Sequence, residues 1–191
     1  IIKELKKTGQ QVIDLEAMAN HKGSAFGGIG QSHQPTNEQF ENLLFNQLYL
    51  LNLEEHIWIE DESLNIGKVV IPADFFRQMQ KAVLYFIDIP KEERAKFLVL
   101  DYALCDKELL KQSVLRISKR LGGQNVNQAL ELIDNGKLFE VALIALGYYD
   151  KAYLKVMQTR DQNNIVKINI PFVDHYKNAK IVLDLSSISF H

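Results

Sequence analysis

The chain has 191 residues, of which 47% are hydrophobic, 24% charged and 9% aromatic, enough for one globular domain with a sizeable core, alone or with an appended lobe. Its net charge of −2 excludes a generally basic nucleic-acid coat, so any RNA contact must come from a local patch. The lone cysteine, Cys105, excludes an internal disulfide and suits a reducing, cytoplasmic setting.

The chain opens with Ile1 rather than Met, and no signal peptide is recognisable. Ile1, Ile2 and Leu5 fall at helical spacing, with lysines in the last turn and Gly9 beyond them. That is the end of a helix, and the sequence is expected to be a piece of a longer protein. Gln11–Ala17 (QVIDLEA) reads as a short strand, followed by a glycine-rich stretch over His21–Gln31. Thr36 and Gln39 fit a capping box, and Phe40, Leu43, Leu44, Leu48 and Leu51 then share one helical face. Glu55–Ser63 reads as a buried strand ending in acid, and Val69–Gln80 as a short extended piece and a short helix. Ala82–Pro90 is the strongest buried strand, and a charged helix runs from Lys91 to about Tyr102.

From Asp106 to Tyr153 the pattern is helical. Leu110, Val114, Ile117 and Leu121 form one stripe ended by Gly122 and Gly123, and Val126, Ala129, Leu130 and Ile133 form the next. Ile165–Ile170 and Lys180–Leu185 read as late strands. The longest apolar runs, such as Ala82–Ile87 and Val141–Leu146, are far too short to span a membrane. The expected fold class is α/β, a mostly parallel sheet with helices on both faces. One domain is expected over residues 1–191, interrupted by a helical lid or insertion at about 106–157.

Ligands of parallel sheets bind beyond the carboxyl ends of the strands. There the loop carrying His21, Lys22, Gly23 and Ser24 offers backbone N–H groups, a cation and a hydroxyl to an anion; the alternative is a turn-rich surface loop. Glu60, Asp61 and Glu62 end a hydrophobic strand, and hard carboxylate oxygens in that place suit magnesium; the alternative is a solvated strand end. Arg116, Lys119 and Arg120 lie opposite the Leu110–Leu121 stripe, where they could meet phosphates or simply water. Tyr148, Tyr149 and Tyr153, near Asp150, suit core packing better than base stacking. Cys105 stands alone, and His33, His56, His175 and His191 have no metal-ligand spacing.

Val12–Leu44 (VIDLEAMANHKGSAFGGIGQSHQPTNEQFENLL) resembles the segment that follows the phosphate loop in tRNA 2-selenouridine synthases. Trp58–Ser63 with Ile66-Gly67, Ile117–Gly136 and Tyr148–Tyr153 resemble later motifs of that family, in the same order. The resemblance implies a P-loop NTPase-like fold lacking its first strand and phosphate loop, preceded in the parent by a rhodanese-like domain bearing the essential cysteine. It implies an enzyme that converts 2-thiouridine at the tRNA wobble position to 2-selenouridine with selenophosphate, through an S-geranylated intermediate made from geranyl diphosphate. Partners so implied are tRNA, the rhodanese-like domain and a selenophosphate-supplying enzyme.

Residues carried over by the match are Asp14, Glu16, His21, Lys22, Gly23 and Ser24 for phosphate or tRNA, with Arg116, Lys119 and Arg120 added from the basic face. Glu60, Asp61 and Glu62 match the acidic strand end, with Glu60 and Asp61 as magnesium candidates; Gly122, Gly123 and Gln124 match the later motif together with Arg120. Cys105 does not match the essential cysteine, and the piece by itself is expected to be inactive. Two rival readings are a P-loop kinase-like small-molecule phosphotransferase with the helical block as lid, and a non-catalytic RNA-binding module.

Overall fold

In the computed structural model, which describes residues 1–189, the segment expected as one strand over Gln11–Ala17 changes conformation at Asp14. Helix α1 (Ile2–Lys7) leads through a turn at Gly9 into strand β1, which covers only Gln11–Ile13. Asp14 then caps helix α2 (Leu15–Ala19), its side chain accepting the Ala17 N–H at 2.8 Å. An aspartate whose carboxylate can satisfy a free helix N–H favours a helix start over strand continuation. Glu16 therefore belongs to the first turn of α2 and not to a strand end.

Helix α3 (Asn37–Tyr49) begins as expected. The Thr36 hydroxyl accepts the Gln39 N–H at 3.2 Å, and Gln39 Oε1 accepts the Thr36 N–H at 3.1 Å. Phe40 and Leu44 are buried and Leu48 and Leu51 pack beside them, whereas Leu43 is 44% exposed and lies off that face. Strand β2 (Ile57–Ile59) pairs parallel with β1 in the register Val12↔Trp58 and Ile13↔Ile59. Strands β3 (Asn65–Ile66) and β4 (Val69–Val70) make an antiparallel hairpin, and helix α4 (Ala73–Lys81) follows.

The chain divides into two compact units. Among the described residues the first comprises Ile1–Tyr85 with the segment from Asp174 to Ser189, the second Phe86–Val173. In the first, Ile13, Leu15, Ala19, Phe40, Leu44, Ile66, Val69, Ile71 and Met79 form a buried core, and Leu5, Val12 and Ala179 a second one. Ala179 comes from helix α10 (His175–Ser189), so the expected late strand at Lys180–Leu185 is a helix. Asn178, Ala179, Val182 and Ser186 are its buried residues, a spacing that follows a helical period; the isolated IVL triplet reads equally as strand.

The second unit holds most of strand β5 (Leu84–Asp88), which pairs with β6 (Ile165–Asn169), and helices α5 (Lys91–Tyr102), α6 (Lys107–Arg116), α7 (Ser118–Leu121), α8 (Gly123–Asp134) and α9 (Leu138–Met157). Ala95 of α5 packs with Ala142 and Leu146 of α9. Leu110, Val114, Ile117 and Leu121 are buried as expected, but the helix they mark is broken. At Ile117 the backbone turns to φ −100°, ψ 9°, splitting α6 from α7.

The fold is α/β with short parallel pairing, but the single continuous sheet is not formed. Among the described residues the strands make three separate two-stranded sheets. No helix among the described residues is long and apolar enough to cross a membrane. His191 lies outside the described residues.

Candidate functional site: a carboxyl cluster beneath a glycine loop

Because β1 and β2 are parallel and in register through Ile13↔Ile59, the residues that follow each strand leave from the same edge. Asp14 and Glu60 are therefore neighbours, and the Glu60 Oε2 accepts the Leu15 N–H at 2.8 Å. The Asp14 carboxyl lies close enough to Glu60, and that of Glu16 to Glu62, for each to influence the other's ionisation. Four carboxyl groups thus meet in two pairs at the start of α2, all half-buried.

Such crowding favours the protonated form. Burial pushes the Glu60 carboxyl up to about 8, with the charge of Asp14 adding to the rise and the Leu15 N–H opposing it. Burial likewise pushes Glu62 up to about 8, reinforced by the neighbouring Glu16 and Asp61. Burial raises Glu16 as well, while Lys22 stands close enough to pull it back. Paired carboxyls of this kind hold a proton between them until a cation replaces it.

The loop after α2 sits directly on this cluster. Gly23, at φ +70°, lies so near Glu62 that a Cβ there would stand 2.6 Å from Oε1 and 2.8 Å from Oε2. Lys22 is exposed at the rim. The segment is better ordered than its composition suggests, because Phe26 is buried and local hydrogen bonds close the turn. The Lys22 N–H donates to Gly27 O at 3.0 Å, the Ser24 N–H to Lys22 O at 2.8 Å and the Gly27 N–H to Ser24 O at 2.9 Å. Ser24 Oγ accepts the Phe26 N–H at 3.2 Å. The N–H groups of Lys22, Ser24, Phe26 and Gly27 are thus spent within the loop.

His21 is the half-buried entry to the loop. Its ring lies beside Gly28 and against Gly67, where a Cβ would meet His21 Cδ2 at 2.8 Å and Gln34 Oε1 at 2.3 Å. In the sequence Gln34 stands out only for its place before Pro35, yet its amide ties α2 to the β3–β4 turn. The Nε2 donates to Ala19 O at 3.0 Å and to Ile66 O at 2.8 Å, and Oε1 accepts the Lys68 N–H at 2.8 Å. The Gln-Pro and Ile-Gly pairs are visible in the sequence, but nothing there says that they meet.

Hard oxygen donors suit magnesium, and mutual repulsion among Asp14, Glu16, Glu60 and Glu62 would be relieved by a divalent cation. Among the described residues, no three acidic, histidine or cysteine side chains are arranged around one metal position.

In the second unit, Arg116 ends α6 while Lys119 and Arg120 lie on α7, all three exposed. Arg120 Nη1 donates to the Tyr148 hydroxyl at 3.2 Å, and the Tyr148 and Tyr149 rings stand 4.9 Å apart. Tyr153 stacks on Phe86 at 5.6 Å. Asp150 forms a two-pronged pair with Arg94, at 2.7 and 2.9 Å. Gly122, at φ +85°, turns the chain into α8, where Gly123 and Gln124 occupy the first turn.

Residues 1–108 match the family model of the tRNA 2-selenouridine synthase AAA domain. The tRNA 2-selenouridine synthase of Nitrosomonas europaea is 30% identical over 88% of this chain and 56% of its own length. That of Shewanella frigidimarina is 33% identical over 80% of this chain and 50% of its own, and that of Bdellovibrio bacteriovorus 29% over 80% and 51%. The chain spans about half the length of these curated relatives. No solved structure matches it.

Proposed function

Since this chain belongs to the family of the tRNA 2-selenouridine synthase AAA domain, we propose that it is the part of such a synthase that holds a diphosphate or nucleotide group and contacts tRNA. In this reading the whole enzyme replaces the sulfur of 2-thiouridine at the wobble position with selenium from selenophosphate, by way of an S-geranylated intermediate. A rhodanese-like domain of the same polypeptide supplies the reactive cysteine, and a selenophosphate-supplying enzyme and tRNA are the partners in the cytoplasm. The P-loop-like reading of the fold belongs to the same proposal. It is supported by the family match, which ends at residue 108, where the helical block at about 106–157 begins.

The observation that carries the reading is the common edge of β1 and β2, where Lys22 and Gly23 stand over the carboxyls of Glu16 and Glu62. A cation above paired carboxyls is an arrangement for a phosphate that arrives with a metal. Lys22 would meet phosphate oxygens directly, while Ser24 and the closed turn keep Lys22 in place. Bound magnesium would offset the charge of the diphosphate, and Glu60 and Asp61, with Asp14 and Glu16 beside the cluster, are the residues that would hold it. Arg116, Lys119 and Arg120 would meet the phosphates of tRNA.

The test is to titrate the full-length protein and its Lys22→Ala variant separately with tRNA, ATP and geranyl diphosphate. Weaker binding of geranyl diphosphate or tRNA by the variant supports the reading. Unchanged affinity for both removes the loop from the mechanism, and tight ATP binding with transfer to a small molecule would favour a kinase instead.

A further inference from the structure

We propose that Gln34 is the positioning residue of the His21–Ser24 loop, fixing where Lys22 presents its charge by tying the end of α2 to the β3–β4 turn. The inference rests on the reading that this loop holds a diphosphate.

Three features of the amide carry it. First, Nε2 donates twice, to Ala19 O at 3.0 Å and Ile66 O at 2.8 Å, while Oε1 accepts the Lys68 N–H at 2.8 Å. One planar group thus bridges backbone groups from two elements, a task that needs two donors and one acceptor on the same side chain. Glutamate would lose both donors, and leucine or methionine all three hydrogen bonds.

Second, the turn is shaped to admit this side chain. Gly67 adopts φ +63°, and any Cβ there would overlap Gln34 Oε1 at 2.3 Å and the His21 ring at 2.8 Å. The same glycine therefore makes room for the amide and for the first residue of the loop. Third, Ala19 is wholly buried at the end of α2, and Asn20 follows in the left-handed region at φ 49°. The path from the anchored Ala19 to Lys22 is three residues long, with His21 wedged against Gly67 on the way. An anchor so close to Lys22 leaves its backbone little freedom.

Hydrogen bonds that hold a loop in its binding shape reduce the ordering that a ligand must otherwise impose, so their loss weakens binding without touching the ligand. The inference predicts coupling between two residues of separate function. In the full-length protein, geranyl diphosphate is titrated calorimetrically against the parent, Lys22→Ala, Gln34→Leu and the double variant, with thermal unfolding followed in parallel. Gln34→Leu is expected to weaken binding about tenfold, and Lys22→Ala to add much less in the Gln34→Leu background than in the parent, because a misplaced lysine has less to lose. A purely structural glutamine would lower the unfolding temperature but leave the two effects additive. Should Gln34→Leu fail to fold, Gln34→Glu keeps the acceptor for Lys68 and carries the same comparison. Additive effects, or parent-like affinity in the Gln34 variants while Lys22→Ala binds weakly, overturn this inference alone. Unchanged affinity for geranyl diphosphate in Lys22→Ala overturns the diphosphate reading of the loop and this inference with it.

Discussion

Gly23 rests against the carboxyl of Glu62 with no room for a side chain between them; a Cβ would stand 2.6 Å from Oε1, at a backbone φ of +70°. This contact joins the loop after α2 to the acid after β2, and it supplies its own control. Gly30 has the same φ of +70° with nothing within 4 Å of a Cβ. Gly23→Ala and Gly30→Ala therefore share the backbone strain, about 1 kcal/mol, and differ in the clash with Glu62. The atoms met are the end of a flexible side chain that can turn aside, so chemical denaturation should show Gly23→Ala less stable than Gly30→Ala by at most about 1 kcal/mol. Greater stability of Gly23→Ala than of Gly30→Ala would place the loop away from Glu62.

The carboxyl pairs predict a pH dependence of stability opposite to that of a salt-bridged acid. Glu60 and Glu62 titrate near 8 in the folded chain, against an ordinary value of 4.5. Between those values the folded state holds protons that the unfolded chain has released, so stability falls as pH rises from about 4.5 to 8. Glu60→Gln and Glu62→Gln should each flatten this slope in urea titrations from pH 5 to 9 and raise stability at the alkaline end. Glutamine at 60 still accepts the Leu15 N–H. Magnesium with diphosphate should release protons on binding, most strongly below pH 8, and calorimetry in buffers of different ionisation enthalpy measures that release.

In the second unit the Arg94–Asp150 pair joins α5 to α9. Arg94 adds a bond from Nε to Ile89 O at 3.0 Å, and the pair's side chains are 31% and 28% exposed. A planar fork filling three acceptor positions is not replaced by an ammonium. Arg94→Lys and Asp150→Asn should each lower stability by about 1–2 kcal/mol. A double-mutant cycle should show positive coupling, and independent effects would disprove the pairing.

The basic residues predict a salt effect. If Arg116, Lys119 and Arg120 meet tRNA phosphates, replacing each by glutamine should reduce the slope of log K against log salt by ~0.7–0.9 for every phosphate left without its cation. Filter binding of tRNA at several salt concentrations measures it. A slope unchanged in the triple variant would remove this surface from tRNA binding.

The sequence by itself determined the helix starts and stops that depend on near neighbours. The Thr36–Gln39 capping box, the turn at Gly9 and the helix beginning at Lys91 after Pro90 are local hydrogen-bond and steric problems, and each is solved within a few residues. That the acid after β2 leaves from the same edge as Asp14 follows from the pairing and register of β1 with β2, which only the tertiary structure supplies. What only the tertiary structure decided depends on who is across the gap. The VIDLEA segment could extend as strand or turn into helix, and the Asp14 cap with Glu60 on the Leu15 N–H selects the helix. Residues 180–185 became helical because Ala179 and Val182 are buried in the first unit. The roles of Gln34 and Gly67, 33 positions apart, arise from a single shared space, and a lone amide bridging distant backbone groups carries no periodic or compositional signal.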